Sequence, residues 1–495
     1  MRLIDVLKGA HDQVTQGATN IDTEITGLTC DSRRVEPGFL FAALPGSQAD
    51  GRSFIPEALA RGASAVLGPT GTGFDDAANV LLITVDNPRR EYALMAARFF
   101  TGQPTTIAAV TGTNGKTSVV SFLRQLWAQL GHRSASAGTL GIELAGFGDV
   151  KPDHEHDFNL TTPDPVDLHR SLSELCAAGV ERLALEASSH GLQQCRLDGL
   201  RVTVAAFTNL TRDHLDYHGT MEDYLGAKLR LFSDVTGDDG VVVINADAAY
   251  SDAVEAASWG SGHRIMTYGQ AGTDVRLLSL GSFAKGQHLN LEVAGDLVQV
   301  TLPLAGNFQA SNALCALTIA IAVGDDPTAA ARQLETLTGA PGRVQPAGRH
   351  PNGASVYVDY AHTPDALASV LKALRPHAAG RLHVVFGCGG DRDPGKRPEM
   401  GDIASKLADR VIVTDDNPRT EDPAIIRRQV LATCPGALEV DNRAEAISTA
   451  IDRLEASDLL VIAGKGHERG QIVGDEVHPF DDVDVVTAVI EGLTP

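Results

Sequence analysis

Residues 110–117, Val-Thr-Gly-Thr-Asn-Gly-Lys-Thr, have the composition of a phosphate-binding turn. An apolar run precedes them at 106–110. Apolar residues at helical spacing follow them, at Val119, Phe122, Leu123, Leu126 and Leu130. A strand, a glycine-containing turn and a helix N-terminus direct backbone N–H groups at phosphate oxygens. The segment therefore predicts a nucleoside triphosphate site, and a glycine-rich turn without a ligand is the alternative.

The residues of this turn have separate roles in that prediction. Lys116 adds a positive charge, and the Thr117 hydroxyl can hold Mg²⁺. The strict pattern G-x-x-x-x-G-K-[ST] requires glycine where this chain has Val110, so Gly112 and Gly115 must supply the flexible backbone. The predicted nucleotide contacts of the turn and the helix start are Gly112, Thr113, Asn114, Gly115, Lys116, Thr117 and Ser118.

Polar residues farther along the chain could complete such a site. Glu186 follows the apolar run 183–185 and suits a second Mg²⁺ contact, and a solvated glutamate at a strand end is the alternative. His214 and His218 lie four apart with two aspartates between them, but the zinc pattern H-E-x-x-H is absent. A magnesium or phosphate contact is therefore predicted for His214. The sequence around Lys228, taken alone, predicts an exposed lysine on a helix.

Three more residues could reach a nucleotide from later segments. Asn307 opens a probable helix, and it could contact adenine or cap that helix. Arg343 and Asp359 lie near a predicted boundary at 340–342, and both could contact the nucleotide across a cleft. An exposed loop salt bridge between such charges, of about 0–1 kcal/mol, is the alternative.

Three apolar runs in the last third of the chain each lead into a loop rich in glycine and charge. The runs are 382–386, 411–413 and 459–462. Because ligands gather beyond the carboxyl ends of strands in open α/β sheets, these loops predict one binding crevice. The second loop contains Asp-Asn-Pro-Arg at 416–419, and the same four residues also occur at 86–89. Asn-Pro is a common turn signal, so the tetrapeptide alone is weak support for a site.

Composition excludes several classes of protein. The chain has 495 residues, with 63 acidic residues against 41 lysines and arginines and a formal charge of −22. This charge argues against nucleic acid or an anionic membrane as a partner. Six scattered cysteines without a C-x-x-C pair suggest reduced thiols, and no stretch approaches 18 apolar residues. We expect a cytoplasmic enzyme with small-molecule substrates, and we expect a monomer.

The order of apolar runs and helical patterns predicts an α/β fold of three domains. We expect an N-terminal domain at 1–104, ending in the linker-like segment 101–104. A central domain at 105–340 should carry a parallel sheet like that of P-loop ATPases. A Rossmann-like α/β domain should occupy 341–495.

Together these segments resemble the Mur ligases, the ATP-dependent enzymes that add amino acids to peptidoglycan precursors. The resemblance rests on 112–117, 186–192, 209–219, 306–312, 359–362 and the three C-terminal loops. Segments 31–33, 159–163 and 186–192 resemble the members that extend UDP-N-acetylmuramoyl-L-alanyl-D-glutamate. The resemblance to the Mur ligases implies ATP as co-substrate, Mg²⁺ as cofactor and an acyl-phosphate intermediate. It also implies a role in cell-wall synthesis, cell shape and division.

The resemblance also implies roles for individual residues. The UDP end would be held by Cys30, Ser32, Ser47, Gln48 and Ala49. The muramoyl-dipeptide would be held by Thr161, Thr162, Ser188, Gln194 and Arg196. The metal would be held by Thr117, Glu186, His214 and carbamylated Lys228, and catalysis would depend on Lys116, Lys228 and His214. The added amino acid would be held by Arg392, Asp416, Asn417, Pro418, Arg419, Gly464 and Glu468.

The Asp-Asn-Pro-Arg loop at 416–419 resembles the motif of the Mur ligases that add meso-2,6-diaminopimelate, so the resemblance favours that amino acid. Diaminopimelate has a distal carboxylate that lysine lacks, and an arginine can pair with it through two hydrogen bonds. L-Lysine remains the alternative, and folylpolyglutamate synthase is a related rival. A regulatory nucleotide switch is a rival of another class, but the chain has no N-K-x-D guanine-recognition sequence. A scaffold role would leave the phosphate turn unexplained.

Overall fold

A computed structural model gives the fold and describes residues 1–8, 14–16, 23–46, 49–74, 80–148, 160–283 and 285–493. The contacts within it divide the chain into two compact units. Unit 1 contains Met1–Lys116 and Trp127–Met266. Unit 2 contains Thr117–Leu126 and Thr267–Pro495.

Helices and strands alternate along much of the described chain. The α-helices are α1 (Leu3–Val6), α2 (Ile55–Ala60), α3 (Pro88–Phe99), α4 (Lys116–Gln129), α5 (Pro165–Ala177), α6 (Ser189–Gln193), α7 (Leu215–His218), α8 (Met221–Arg230), α9 (Ser251–Gly260), α10 (Asn307–Ala322), α11 (Pro327–Gln333), α12 (Pro364–Leu374), α13 (Lys396–Leu407), α14 (Pro423–Leu431), α15 (Arg443–Asp452) and α16 (Asp482–Gly492). The strands are β1 (Val14–Gln16), β2 (Gly27–Thr29), β3 (Phe39–Ala42), β4 (Ala65–Pro69), β5 (Leu81–Val85), β6 (Thr106–Thr111), β7 (Ser134–Gly138), β8 (Gly141–Ala145), β9 (Arg182–Glu186), β10 (Val202–Phe207), β11 (Thr236–Asn245), β12 (Arg264–Gly269), β13 (Val275–Phe283), β14 (Gly286–Val293), β15 (Asp296–Leu302), β16 (Gln345–Arg349), β17 (Ser355–Asp359), β18 (Leu382–Phe386), β19 (Arg410–Val413), β20 (Leu438–Glu439), β21 (Leu459–Ala463), β22 (Gly470–Val473) and β23 (Glu476–Pro479).

Unit 1 contains two largely parallel arrays of strands. The first has the order β1-β5-β4-β3-β2, and only β1 pairs antiparallel. The second has the neighbours β11-β10-β6-β9-β7-β8, and only β8 pairs antiparallel. In this second array β6, which leads into the phosphate turn, lies between β9 and β10. The carboxyl ends of these three strands therefore lie side by side.

Unit 2 contains a six-stranded sheet with the order β16-β17-β21-β18-β19-β20. Its strands are parallel except for β16. Apolar residues of its strands and helices pack on both faces of the sheet, in one cluster that includes Leu371, Phe386 and Met400 and another that includes Ile447 and Ile462. Strands β13, β14 and β15 form an antiparallel array, and β22 and β23 form a hairpin.

The structure confirms the α/β class and the alternation of strands and helices predicted from the sequence. Each of the three C-terminal apolar runs is a strand, and β18, β19 and β21 are neighbours in one sheet. The helix after the phosphate turn is also present, but it ends at Gln129, so the inclusion of Leu130 in its apolar face was wrong. No helix among the described residues is long and apolar enough to cross a membrane.

Candidate active site

The phosphate turn between β6 and α4 has a backbone that glycine alone can adopt without strain. Gly112 has φ +148°, and a Cβ there would lie 1.9 Å from the Thr208 hydroxyl oxygen. Gly115 has φ +91°. The Lys116 ammonium donates to the carbonyl oxygens of Gly112 and Thr113, both at 2.8 Å. The lysine therefore lies over the turn, as a phosphate contact requires.

The end of β10 braces this turn. The Thr208 hydroxyl donates to the Asn114 carbonyl at 2.7 Å, and the Asn209 amide oxygen accepts from the Asn114 backbone N–H at 3.0 Å. The Thr113 N–H donates to the Asn209 carbonyl at 2.8 Å. Three hydrogen bonds from the residues that follow β10 therefore hold the turn.

Lys228, on α8, is buried beside the same turn. Its side chain is 1% exposed, and its ammonium donates to the Gly112 carbonyl at 2.9 Å. The ammonium also lies 4.5 Å from the centre of the Tyr224 ring. Burial, with a smaller contribution from the Lys116 charge, holds the pKa of Lys228 well below its usual value. The interpretation of Lys228 as an exposed helix lysine was therefore wrong.

Glu186 ends β9, directly beside the phosphate strand. It is paired in register with Val110 and is 1% exposed. One carboxylate oxygen accepts from the Thr139 N–H at 2.9 Å, and the other faces the Thr139 hydroxyl at 3.3 Å. A carboxylate at this position suits Mg²⁺, which prefers hard oxygen donors. Its part in metal binding stays a prediction.

His214 lies in a cluster of aromatic and histidine rings within unit 1. It has φ +52°, and its ring centre is 5.0 Å from that of His190 and 6.2 Å from that of Tyr224. His190 in turn packs on Tyr217 at 4.0 Å. Burial and two neighbouring histidines lower the pKa of His190 to about 4. The described residues contain no group of three metal-binding side chains, so the predicted metal contact of His214 remains a prediction.

The residues predicted to hold the muramoyl-dipeptide form one hydrogen-bonded network in unit 1. The Thr162 hydroxyl accepts from the Ser188 N–H at 3.0 Å, and its carbonyl accepts from the Arg196 guanidinium at 2.6 Å. Arg196 also donates to the Gln194 amide oxygen at 2.7 Å. The Thr161 hydroxyl lies 3.2 Å from that of Thr139. The structure therefore brings this set together.

The residues predicted for the UDP end are less closely connected. The Ser32 hydroxyl donates to the Glu57 carboxylate at 2.7 Å, and the Cys30 thiol lies 3.4 Å from the Asp164 carboxylate. Burial and the Asp164 charge raise the pKa of the Cys30 thiol. The Ala49 carbonyl accepts from the Gly46 N–H at 3.0 Å. Ser47 and Gln48 lie outside the described residues.

Three predicted nucleotide contacts lie in unit 2. The Arg343 guanidinium is 3.5 Å from the Thr117 hydroxyl and 4.5 Å from the centre of the Tyr360 ring. The two oxygens of Asp359 accept backbone N–H groups at 2.7 and 2.8 Å, and burial raises its pKa. Asn307 is exposed and is the first residue of α10, whose N-cap is Gly306. The alternative that Asn307 caps this helix was therefore wrong.

The second Asp-Asn-Pro-Arg segment contacts the loop after β21. Asn417 is 4% exposed, and its amide nitrogen donates to the Glu468 carboxylate at 3.0 Å. A Cβ on Gly464, which has φ +118°, would lie 2.6 Å from an Asp416 carboxylate oxygen. Arg419 has φ +50°, and its guanidinium donates to the Gly390 carbonyl at 2.8 Å. The three loops therefore contact one another, with Pro418 buried and Arg392 exposed, and a binding crevice between them stays a prediction.

The first copy of the tetrapeptide has a different structural role. The Asn87 side chain accepts from the Arg90 N–H and caps α3, and Pro88 occupies the first turn of that helix. Arg89 donates to the Pro45 carbonyl at 2.5 Å, and Asp86 accepts from the Thr70 hydroxyl at 2.8 Å. Asn followed by Pro is a common helix start, which accounts for this copy without a ligand.

Buried cations in unit 2 were missed by the sequence analysis, among them Lys465 and Arg443. Lys465 and Arg443 are 0% and 1% exposed, and Arg443 pairs with the buried Asp482 at 2.7 Å. Arg443 also donates to the Ala463 carbonyl at 3.0 Å. Lysine and arginine are rarely buried, so the residue type gave no indication that these two side chains are buried. The position of Lys465, two residues beyond a buried strand and between two glycines, was the available indication.

The comparisons with known proteins agree with this geometry. Three family models match: the Mur ligase family catalytic domain at 24–100, the Mur ligase middle domain at 110–320, and the Mur ligase glutamate ligase domain at 342–466. The chain is similar to UDP-N-acetylmuramoyl-L-alanyl-D-glutamate–2,6-diaminopimelate ligase of Caulobacter vibrioides, at 51% identity over 95% of this chain and 96% of the relative. The protein of that name from Bradyrhizobium diazoefficiens is 53% identical over 94% of this chain and 95% of the relative. A solved structure of a ligase with this name matches with 36% identity and a TM-score of 0.72, over 99% of both chains.

Proposed function

Because this chain belongs to the Mur ligase family, we propose that it joins meso-2,6-diaminopimelate to UDP-N-acetylmuramoyl-L-alanyl-D-glutamate at the expense of ATP. Two relatives that are 51% and 53% identical to this chain are named for that activity. The observation that carries the proposal is the contact of the second Asp-Asn-Pro-Arg segment with Glu468, beyond the carboxyl ends of β19 and β21. The same tetrapeptide at 86–89 is a helix start and gives no such site.

The chemistry requires activation of a carboxylate, because a free carboxylate is a poor electrophile. The γ-phosphoryl group of ATP passes to the D-glutamate carboxylate and gives an acyl phosphate and ADP. The amine of diaminopimelate then attacks the carbonyl carbon. The tetrahedral intermediate collapses to an amide and releases phosphate, and the amine loses a proton. These reaction steps make one amide bond for each ATP cleaved.

The residues around the phosphate turn suit the first step. The backbone of 112–117 would surround the phosphates, and Lys116 would offset charge on the group being transferred. Thr117, Glu186, His214 and a carbamylated Lys228 would hold Mg²⁺, which supplies further charge stabilisation when bound. Carbamylation requires a neutral amine, and the lowered pKa of the buried Lys228 favours it. Both the modification and the metal ligands are part of this proposal.

The remaining residues would position the two carbon substrates. The network of Thr161, Thr162, Ser188, Gln194 and Arg196 offers donors for the muramoyl-dipeptide, and Cys30, Ser32 and 47–49 would hold the UDP end. Arg419 and Arg392 would pair with the distal carboxylate of diaminopimelate. Gly464 and the Asp416 and Glu468 carboxylates would surround the amine at that end. We propose that the enzyme acts as a monomer. We also place it in the cytoplasm, because ATP and the nucleotide-linked substrate are available there.

The test is ADP release with purified protein, ATP, UDP-N-acetylmuramoyl-L-alanyl-D-glutamate and one amino acid at a time. With diaminopimelate we expect ADP and a product whose mass equals the two substrates less one water. Lysine should give much slower release. Equal rates with lysine would overturn the amino-acid assignment. Ligation of glutamate to a folate, without turnover of the UDP substrate, would favour folylpolyglutamate synthase instead.

A further inference from the structure

Lys465 has its ammonium group fully buried behind the proposed amino-acid site. The ammonium donates to the Asn417 amide oxygen at 2.9 Å, to the Glu468 carboxylate at 3.2 Å and to the Gly470 carbonyl at 2.6 Å. These three acceptors match the three donors of an ammonium. A buried charge is costly unless it is paired and fully hydrogen-bonded, and here it is both.

These contacts fix the orientation of Asn417. Its amide oxygen accepts from Lys465 and from the Ile472 N–H at 3.0 Å, while its amide nitrogen donates to Glu468 at 3.0 Å. The oxygen therefore already has two donors. The distal amine of an amino acid is better received by the carboxylates of Asp416 and Glu468 than by the oxygen of Asn417.

The hairpin of β22 and β23 is joined to the same loop. The Gln471 amide donates to the Asp416 carbonyl at 2.6 Å, and the Arg419 N–H donates to the Ile472 carbonyl at 3.1 Å. The Gly474 N–H donates to the Arg419 carbonyl at 2.7 Å. Since Lys465 also bonds Gly470, one ammonium connects the hairpin, the loop at 416–419 and the loop at 464–468.

We propose that Lys465 is a positioning residue for the choice of amino acid. It does not touch the substrate; it holds Asn417 and Glu468 in the orientation that receives the distal end of the amino acid. The Glu468 hydrogen bonds from Lys465 and Asn417 converge on one oxygen, Oε2, which fixes the plane of that carboxylate. This inference rests on the proposed function, because it takes the loop at 416–419 and Glu468 as the amino-acid site.

The experiment compares Lys465→Met with Lys406→Met in the full-length protein. Lys406 is 69% exposed on α13 and serves as the matched control. Lys465→Met keeps an unbranched side chain that is one atom shorter and removes its three donors. We expect the KM for diaminopimelate to rise roughly 10- to 100-fold, because the loss of charge-assisted hydrogen bonds weakens binding by about that factor. The kcat and the KM values for ATP and the UDP substrate should stay within about threefold.

A purely structural role would give a different result. Loss of folded protein would lower kcat for every substrate and leave the KM for diaminopimelate unchanged, and that pattern would overturn the proposal. A double-mutant cycle with Glu468→Gln adds a second criterion. If Lys465 acts through Glu468, the double variant should be little worse than the poorer single variant, whereas additive losses would contradict the proposal.

Two arrangements keep the test decisive. If Lys465→Met does not fold, Lys465→Gln, which retains a donor, is measured against the same two outcomes. Wild-type turnover with diaminopimelate is measured first, and its absence would overturn the proposed function. The amino acid that the wild type does use then replaces diaminopimelate in the KM comparison. With wild-type turnover intact, an unchanged KM in the variants would overturn the role of Lys465 alone.

Discussion

Replacing Arg419 by alanine should weaken selection of diaminopimelate, whereas replacing Arg89 should not. Both arginines are the last residue of an Asp-Asn-Pro-Arg segment, so they form a matched pair. Arg419 is half-buried, and its guanidinium lies 3.5 Å from the Asn417 carbonyl oxygen in the proposed amino-acid site. Arg89 contacts the Pro45 carbonyl near the start of α3.

The magnitude follows from what the substitution leaves unpaired. Removing one partner of a buried charge pair costs about 2–5 kcal/mol or more. Because the Arg419 guanidinium is only half-buried and also bonds the Gly390 carbonyl, we expect the lower part of that range, about 2–3 kcal/mol. At 1.4 kcal/mol for each factor of ten, the loss in kcat/KM with diaminopimelate is roughly 30- to 150-fold. Lysine has no distal carboxylate, so its kcat/KM should change by less than about threefold.

The assay is kcat/KM for both amino acids in the wild type, Arg419→Ala and Arg89→Ala. Melting temperatures are measured alongside, since Arg419 lies at φ +50° in a loop that it helps to hold. The reasoning fails if Arg419→Ala weakens both amino acids equally. It also fails if Arg89→Ala alone lowers the ratio of diaminopimelate to lysine.

Three further substitutions test the phosphate turn. Lys116→Ala should lower kcat at least about 100-fold with an unchanged melting temperature, because it removes a preorganised charge beside the transferring phosphoryl group; wild-type turnover would refute the phosphate assignment. Lys228→Ala should be almost inactive and partly rescued by acetate, if a carboxylate-like group is needed there; a lack of rescue, with Lys228→Arg active, would contradict carbamylation. Gly112→Ala places a Cβ 1.9 Å from the Thr208 hydroxyl, so we expect about 1–3 kcal/mol of destabilisation in denaturant unfolding together with loss of ATP turnover. Full stability and activity in that variant would show that the turn can rearrange.

The sequence predicted features that depend on local pattern. Apolar runs predicted β6, β9, β18, β19 and β21, since buried parallel strands are continuous apolar segments. The start of α4 followed from glycines and a lysine at a strand end. The boundaries at 104 and 340 and the roles of the site residues stay predictions.

Features that depend on tertiary contacts were not predictable in the same way. Lys228 was misread because the helix pattern treats lysine as polar, although Tyr224, Ala227 and Lys228 share the buried face of α8. Asn307 resembled a capping residue, but Gly306, at φ +96°, takes the N-cap position. Apart from its position between two glycines after a buried strand, Lys465 gave no sign of burial, because its three acceptors come from positions 417, 468 and 470 and only the fold brings 417 to it.

The tetrapeptide at 86–89 has a consequence for how short specificity signatures are used. An asparagine that caps a helix and a proline in its first turn are favoured by folding alone. Asn-Pro is therefore favoured at helix starts whatever the protein does, and a four-residue string that contains it can recur for that reason alone. A search for this string in a genome would count a folding signal as a substrate signature. The two copies in this chain differ in their contacts: the Asn417 side chain bonds Lys465 and Glu468 of another loop, whereas the Asn87 side chain caps its own helix.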